Sequence, residues 1–573
     1  MYLLESLFSE RLVYQPLQGG VENMKSGMVT AAHPLAARAG VEVLKAGGNA
    51  VDAAVATGFS LGVVEPYMCG LGGGGVMLVH LTNGESAVIW FCTKAPVKAT
   101  PNMFEIAEKE VDIKMRERFG SAAHWSSVKN NANIFGHKAV AVPGTVAGFT
   151  TALEKFGTIE LNTALESAIK YAEEGFFADP SMSLRILSEL NTIKKYPNLS
   201  SIFLKDGLPP GANIVGFGPL TKIIQVDLAD TLRKIARFGF EGFYKGEVAE
   251  AIIRDMEKNG GIIIDEDLSR YRPLLMKPST TLYHEYEVLQ PPGSVNIEVF
   301  NILENFDLKN LGHNSPEYIH LIAEAIKLAF MDIENTACGD FNLMPLSRLY
   351  SKDYAKELVS KIKSNSYASK IGLSTNIVPD ETTSFSVIDK ERNMVACTFT
   401  LGSLFGSKVL VPKTGVILNN NMKTFNPVPG TSMSIEPGRF RYWNGSPLLI
   451  KRNEKSFMSI GSPGFPVASL LQVFFNVIHF GMSIQQAIDA PRIGRETANT
   501  KYAEEITLDS RIPRSVAKKL KKMGHKLIIT EPQGMKGGPF GRPNGIVIKD
   551  DGTLDGGRFI IDFQYGAIAV TDD

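Results

Sequence analysis

Two alanine-rich apolar patterns, Leu35 to Lys45 and Asn49 to Val64, are separated by Gly47 and Gly48. Their helical spacing and small side chains predict two tightly packed helices. Cys69-Gly70-Leu71-Gly72-Gly73-Gly74-Gly75 and the mostly apolar run Val76 to Leu81 then read as a loop leading into a strand. Helical patterns dominate from about 140 to 270. Ser315-Pro316-Glu317 begins another helix, with Tyr318, Leu321, Ile322, Ala325, Leu328 and Ala329 on one face. From Ser351 to Asp380 lysines and serines accumulate and large apolar residues thin out after Leu358, which predicts an exposed connector. Val409 to Val411 and Val416 to Leu418 suggest short strands, Val467 to Phe480 a helix buried nearly all round, and Ser483-Ile484-Gln485-Gln486 a capping box. Strands with helices on either side of position 382 predict an α/β layered protein, with no internal repeat.

After the lysine- and serine-rich stretch, Thr382-Thr383 opens a strand-like run to Asp389; Lys390-Glu391-Arg392 makes a charged turn, and Asn393 to Thr400 forms a second run. Two β-rich runs joined by three residues predict a hairpin. If Asp389 faces Asn393, Thr382 lies opposite Thr400, close enough for the Thr400 hydroxyl to orient its neighbour. A bulge would shift that register by one. The chemical interest lies in the bond between Glu381 and Thr382. Cutting it leaves Thr382 with a hydroxyl nucleophile and an α-amine base on one residue, so a weak alcohol is activated without a histidine. An α-amino group titrates near 7.7 to 8.0, suited to that task. Strand propensity alone also accounts for threonines here.

Composition narrows the remaining classes. The chain has 573 residues, 44% hydrophobic and 21% charged, with 60 basic and 60 acidic residues. That length allows about four domains at roughly 150 residues each, and the balanced charge gives no electrostatic reason to bind nucleic acid or an anionic membrane. Cys69, Cys92, Cys338 and Cys397 never form CxxC, which argues against zinc or a disulfide framework and for a reducing compartment. Residues 1–11 lack a secretory layout, and Asp52 and Glu65 interrupt the best candidate for a membrane span. A cytoplasmic protein is expected. The nine histidines show no ligand spacing, so neither a metal nor a cofactor is expected.

Two motifs mislead. Gly58-Phe59-Ser60-Leu61-Gly62 matches the GxSxG elbow but lies inside a helical pattern, where helix packing explains it. Gly70, Gly72 and Gly75 fit GxGxxG, yet a helix precedes them and a strand follows, the reverse of the dinucleotide fingerprint.

Six ordered blocks accompany the threonine hairpin: Gly47 to Ala56, Leu71 to Gly75, Val142 to Gly148, Ala172 to Phe176, Gly461 to Gly464 and Asp489 to Arg492. Together they make the chain resemble the γ-glutamyltransferases (glutathione hydrolases), self-processing members of the N-terminal-nucleophile (Ntn) hydrolase superfamily. The resemblance runs from about Gly27 to the carboxyl end. It implies a four-layer αββα fold and a precursor that cleaves itself before Thr382 into a large subunit (1–381) and a small one (382–573), with a further homo-oligomer left open. It also implies a small-molecule amide substrate, attack by Thr382 to form an acyl-enzyme, and resolution by water or an amine. Thr400 matches the family's second threonine. The family's oxyanion-binding Gly-Gly pair is Gly464-Phe465 here; Phe465 precedes Pro466, which biases it toward extended backbone.

Recognition residues depart from the family. The arginine that holds the glutamyl α-carboxylate is replaced by Cys92, ahead of Thr93-Lys94-Ala95-Pro96. Lys94 offers a cation nearby, but a point charge lacks guanidinium geometry, and a solvated lysine is the plainer expectation. Thr424 replaces the aspartate that grips the α-amine. Gly402 stands where the family has asparagine, Asn421 where it has glutamine, and Trp443-Asn444 where it has a serine pair. Residues Asn426 to Phe440 read either as a flap over the site or as a plain surface loop. Losing a buried charge partner costs a ligand several kcal/mol. The expected chemistry is therefore amide cleavage on a γ-glutamyl or related acyl group. A related acylase on a non-glutamyl amide and an unprocessed binding homologue are the alternatives.

Overall fold

The computed structural model describes residues 26–107, 128–211, 221–336, 340–363, 381–443, 446–494, 505–532, 540–559 and 567–570. Strand β1 (Met28–Ala31) precedes helices α1 (Pro34–Lys45) and α2 (Ala50–Val64), strands β2 (Gly74–His80) and β3 (Ser86–Phe91), and helices α3 (Thr145–Phe156) and α4 (Pro180–Ser188). After further helices come β4 (Leu274–Met276), β5 (Ser279–Tyr283), β6 (Tyr286–Gln290), α5 (Asn296–Leu303), α6 (Pro316–Thr336) and α7 (Lys352–Lys363). The last third supplies β7 (Glu381–Ile388), β8 (Met394–Gly402), β9 (Leu448–Arg452), β10 (Lys455–Gly461), α8 (Pro466–Phe480), β11 (Asn544–Ile548), β12 (Leu554–Arg558) and β13 (Ala567–Val570).

These strands form two antiparallel sheets, ordered β13-β1-β7-β8-β2-β3-β4 and β12-β11-β10-β9-β6-β5. Alternation along β7 explains how they stack. Phe385 and Val387 join the core that includes Phe59 of α2 and Phe149 of α3, whereas Ser384 and Ser386 point the other way, toward the second sheet. That inner seam is small and polar, so side chains bond backbone across it: Ser459 Oγ donates to Val395 O at 2.8 Å and Asn544 Nδ2 to Ser384 O at 3.0 Å. The second sheet's outer face packs on α5, α6 and α8 through residues such as Phe300, Tyr318 and Phe474. The result is the four-layer αββα sandwich, built jointly by strands from both sides of position 382.

Local signals hold where they are strong. Asn49 caps α2, and Asp52 completes the box by accepting from Asn49 N at 2.7 Å. Asp389, in the hairpin turn, accepts from Ala50 N at 2.9 Å, placing a carboxylate on the positive end of α2. Gly58 lies under the Phe149 ring, so GxSxG is helix packing. Ser315 Oγ caps α6, and Ser483 and Gln486 form the expected box. Two expectations fail. Part of the supposed connector is helix α7, which buries Tyr354, Ala355, Leu358, Val359 and Ile362; residues 364–380 lie outside the described set. Val409–Val411 and Val416–Leu418 pair through the isolated antiparallel bridge Leu410 to Ile417, flanked by bonds from Val411 N to Val416 O and from Leu418 N to Val409 O, but the pairing stops short of strands because Leu418 O accepts from Ser407 N–H instead of continuing the ladder.

The glycine run is explained by close approach. A Cβ on Gly75 would lie 2.3 Å from Thr398 O, and one on Gly73 2.4 Å from Thr400 O, so only glycine lets this segment lie against β8. Gly75→Ala should therefore destabilise the chain by about 1–3 kcal/mol, read as a lower denaturation midpoint in an uncut Thr382→Ala background; an unchanged midpoint contradicts the packing account.

Candidate active site

The hairpin keeps the expected register from Ile388 opposite Met394 to Thr383 opposite Phe399, then slips, with Glu381 opposite Gly402. One extra residue on β8 thus faces Thr382. The cause is tertiary: Leu401 N donates to Met68 O at 2.9 Å and its carbonyl accepts from Asn420 N at 3.0 Å, which pulls Leu401 out of the ladder. The expected contact from Thr400 to the Thr382 hydroxyl is replaced by another. Thr400 Oγ1 donates to the carbonyl of Glu381, on the bond before Thr382, and accepts from Gly402 N–H at 2.7 Å. Thr382 itself is 7% exposed.

Gly464 and Phe465 lead into α8. Both have positive φ, 69° and 39°, so the extended backbone expected for Phe465 is not what forms. A non-glycine residue in the left-handed region carries strain, and neighbouring contacts hold it: Ser469 Oγ donates to Phe465 O at 3.0 Å, and Gly541 packs where a Cβ would lie 2.4 Å from Gly464 O. Neither N–H donates to another described residue. Two available donors at a helix N-terminus form an anion cradle. Arg542 links this loop to the threonine, its backbone N donating to Pro463 O at 2.9 Å and its guanidinium to Thr382 O at 3.3 Å.

Charged groups surround the Glu381–Thr382 bond. Glu381 Oε2 lies 3.4 Å from Arg185 Nη1 and 3.6 Å from Arg542 Nη2. Glu65, just past α2, is 2% exposed, and one of its carboxylate oxygens has no hydrogen-bond partner among the described residues. Burial pushes its carboxyl up to about 7, opposed by the Thr383 hydroxyl and by the Arg542 and Arg185 guanidiniums. Glu65, Arg185 and Arg542 were not singled out from sequence; three distant segments supply them, and no spacing links them.

The recognition residues expected from sequence gather on the other side of Gly402. Asn421 Oδ1 would lie 2.8 Å from a Cβ on Gly402, whose φ is 103°; the room for the family's asparagine is taken by Asn420 and Asn421. Arg441 Nη1 donates to Asn421 Oδ1 at 2.8 Å, its guanidinium lies 4.6 Å over the Trp443 ring, and it acts on the Cys92 thiol. Arg441 therefore places a guanidinium beside the position where the family arginine is lost. Cys92 does not compete, because burial pushes its thiol up to about 12 and leaves it neutral. Asn421 Nδ2 is buried without an acceptor among the described residues. Thr424 Oγ1 is engaged by Asn421 O at 2.7 Å. Lys94 is not the solvated lysine expected: its Nζ sits 4.3 Å over Phe440 and 5.6 Å over Tyr271, and burial lowers its basicity. The candidate flap is pinned along its second limb, with Ala95 N donating to Arg439 O and Arg441 N to Thr93 O. Asn444 lies outside the described residues.

The family model for gamma-glutamyltranspeptidase matches residues 36–558. The chain belongs to the gamma-glutamyltranspeptidase family. It is 38% identical to the Acylase ACY 1 proenzyme of Pseudomonas sp. (strain V22), over 92% of this chain and 91% of that protein, and 33% identical to the Glutathione hydrolase proenzyme of Escherichia coli (strain K12), over 96% and 91%. Among solved structures it superposes on a cephalosporin acylase from Bacillus halodurans with a TM-score of 0.81 at 28% identity, covering 98% of this chain and 99% of that one. Like the rest of this gamma-glutamyltranspeptidase family, the chain is an Ntn-hydrolase enzyme.

Away from this site, His320, Glu324 and His525 converge, with ligand atoms within 4.8 Å of one another. Spacing along the chain did not reveal that grouping. Lys327 Nζ, 2.8 Å from Glu324 Oε1, already balances the carboxylate, and His320 and His525 bond each other at 2.8 Å. The described thiols of Cys69, Cys92 and Cys397 are buried and all pushed up by burial. A Cys338→Ser variant should thus show no thiol reactive toward Ellman's reagent at pH 8 when native and three when unfolded; rapid native labelling contradicts the site as described.

Proposed function

We propose that this enzyme cuts its own chain between Glu381 and Thr382, giving a large subunit (1–381) and a small one (382–573), and that Thr382 then serves as the nucleophile of an amide-cleaving acyltransferase. The observation that carries this reading is the Thr400 hydroxyl on the Glu381 carbonyl, where it polarises the bond to be cut. The names of the relatives support it, since both are proenzymes. After cleavage the Thr382 α-amine, titrating near 8 when unperturbed, takes the hydroxyl proton as Oγ attacks the substrate carbonyl. The Gly464 and Phe465 N–H groups receive the oxyanion, a contribution often worth about 2.7–4 kcal/mol per donor. Thr400, released from Glu381, is then available to the nucleophile. Water or an amine resolves the acyl-enzyme.

Arg441 and Thr424 favour a particular acyl group. A guanidinium beside Cys92 suits a carboxylate, while the Thr424 hydroxyl, turned to Asn421 O, offers no anion for an α-ammonium. The substrate class is an ω-carboxyacyl amide with no α-amine, in keeping with a relative named cephalosporin acylase. The proposal extends to location: buried free thiols suit a reducing cytoplasm.

Intact mass and amino-terminal sequencing test the cleavage. The wild type should yield a fragment beginning Thr-Thr-Ser-Phe, Thr382→Ala should stay whole, and Thr400→Val should cleave about 100-fold more slowly. A wild-type chain that stays whole supports a binding homologue instead. In steady-state assays, glutaryl anilides should be cleaved with higher kcat/KM than γ-glutamyl anilides, and Arg441→Met should lower the glutaryl value about 30-fold or more, the equivalent of about 2 kcal/mol. Preference for the γ-glutamyl anilide, or indifference to Arg441→Met, overturns the acyl assignment.

A further inference from the structure

Self-cleavage poses a proton problem that later turnover does not. In the uncut chain the nitrogen of Thr382 is a peptide amide with no basicity, so the base used by the mature enzyme does not yet exist. Some other group must hold the hydroxyl proton while the Glu381–Thr382 bond breaks.

The strand geometry leaves room for one. Strand β1 ends at Ala31, opposite Phe385, so among the described residues Glu381 to Ser384 have β8 on one side and no paired strand on the other. A cavity of about 30 Å³ fills that side, lined by Thr382, Glu65, Arg542 and Arg558 among others. It is large enough for about one or two waters. Of the described groups lining it, the arginines are permanent cations, and only Glu65 can take up a proton. Its carboxylate is buried, and one of its oxygens has no hydrogen-bond partner among the described residues.

We propose that Glu65 holds the Thr382 hydroxyl proton during self-cleavage, acting through a water in the cavity the two residues share. The inference rests on the self-cleavage reading. Thr382 Oγ attacks the Glu381 carbonyl carbon as its proton passes through the water to Glu65. The carbon–nitrogen bond then breaks, and Glu65 returns the proton to the leaving nitrogen, which becomes the α-amine of Thr382. The ester left between Glu381 and Thr382 Oγ is hydrolysed by one water, giving the Glu381 carboxylate and the free hydroxyl. No other reactant is consumed.

The surroundings set the pH response. Facing Glu65 are the Arg542 and Arg185 guanidiniums, the Thr383 hydroxyl, Asp179 at the start of α4, and Tyr67 and Cys69 beyond α2; Glu381 is held by the same two arginines. The arginines favour the carboxylate; Asp179 and burial favour the acid, and burial dominates, placing the carboxyl at about 7. Because the ionised form is the base, self-cleavage should speed up as pH rises through 7 and level off above it.

Cell-free synthesis of the full chain, followed by pulse-chase at pH 5.5 to 9, tests this. The wild type should show the rise through pH 7. Glu65→Gln should be about 100-fold slower at pH 8, within the range for a lost general base, and lose that rise. Glu65→Asp should be slower yet keep it. Glu65→Gln cleaving within about threefold of the wild type, far below that range, or retaining the same rise, overturns the proposal. If Glu65→Gln melts as a misfolded chain, a folded Glu65→Asp without the rise overturns it equally. A wild-type chain that never cleaves at any pH sinks the self-cleavage reading itself, and the inference with it.

Discussion

Everything at this site hangs on one hydroxyl group bridging two strands. Thr400 Oγ1 donates to the carbonyl before Thr382 and accepts from the N–H of Gly402, so its one proton is committed and its direction fixed. It reaches that carbonyl only because Leu401 is drawn out of the ladder by Met68 and Asn420. Met68 lies in the turn after α2, and the glycines beside it let β2 lie against the Thr398–Thr400 backbone. The helical layer, the glycine loop and the hairpin are thus one mechanical unit whose output is the position of a single hydrogen bond.

A second constraint is electrostatic. Glu381 meets two guanidiniums, and Glu65 sits within their field under a heavy desolvation penalty. Neither arginine lies near Thr382 in sequence, yet Arg542 ties together the Glu381–Thr382 segment and the Gly464-Phe465 loop. The proposed recognition group lies apart, beyond Gly402, where Arg441 and Asn421 bond each other beside Cys92, the place of the lost family arginine. In the proposed reading, chemistry and specificity therefore sit apart at the hairpin's end. This division lets a family keep its reaction while changing its acyl group.

Legibility in the sequence followed the range of the forces involved. The two alanine-rich helices, the capped starts of α2 and α6 and the hairpin were readable because caps, periodicity and turn residues act within a few positions. The bulge was not, since its cause lies in a backbone bond to Met68. Phe465 broke the local rule for residues before proline because Ser469 and Gly541 hold it in a left-handed turn. Helix α7 was missed although Ala355, Leu358, Val359 and Ile362 carry helical spacing; the lysines between them hid it. Of the residues gathered at the candidate site, Thr382, Thr400, Gly464 and Phe465 were singled out through the hairpin and the family blocks, whereas Glu65, Arg185, Arg441 and Arg542 come together only in the fold.

The central claim is that Thr382 becomes a terminal residue whose oxygen carries the acyl group. The most direct measurement is acid-quench mass spectrometry of the enzyme during turnover of a slow amide, with the adduct mapped by peptide sequencing. The account requires the acyl mass on the Oγ of a fragment that begins at Thr382. An adduct on any other side chain, or turnover by a chain whose Glu381–Thr382 bond is intact, would contradict it.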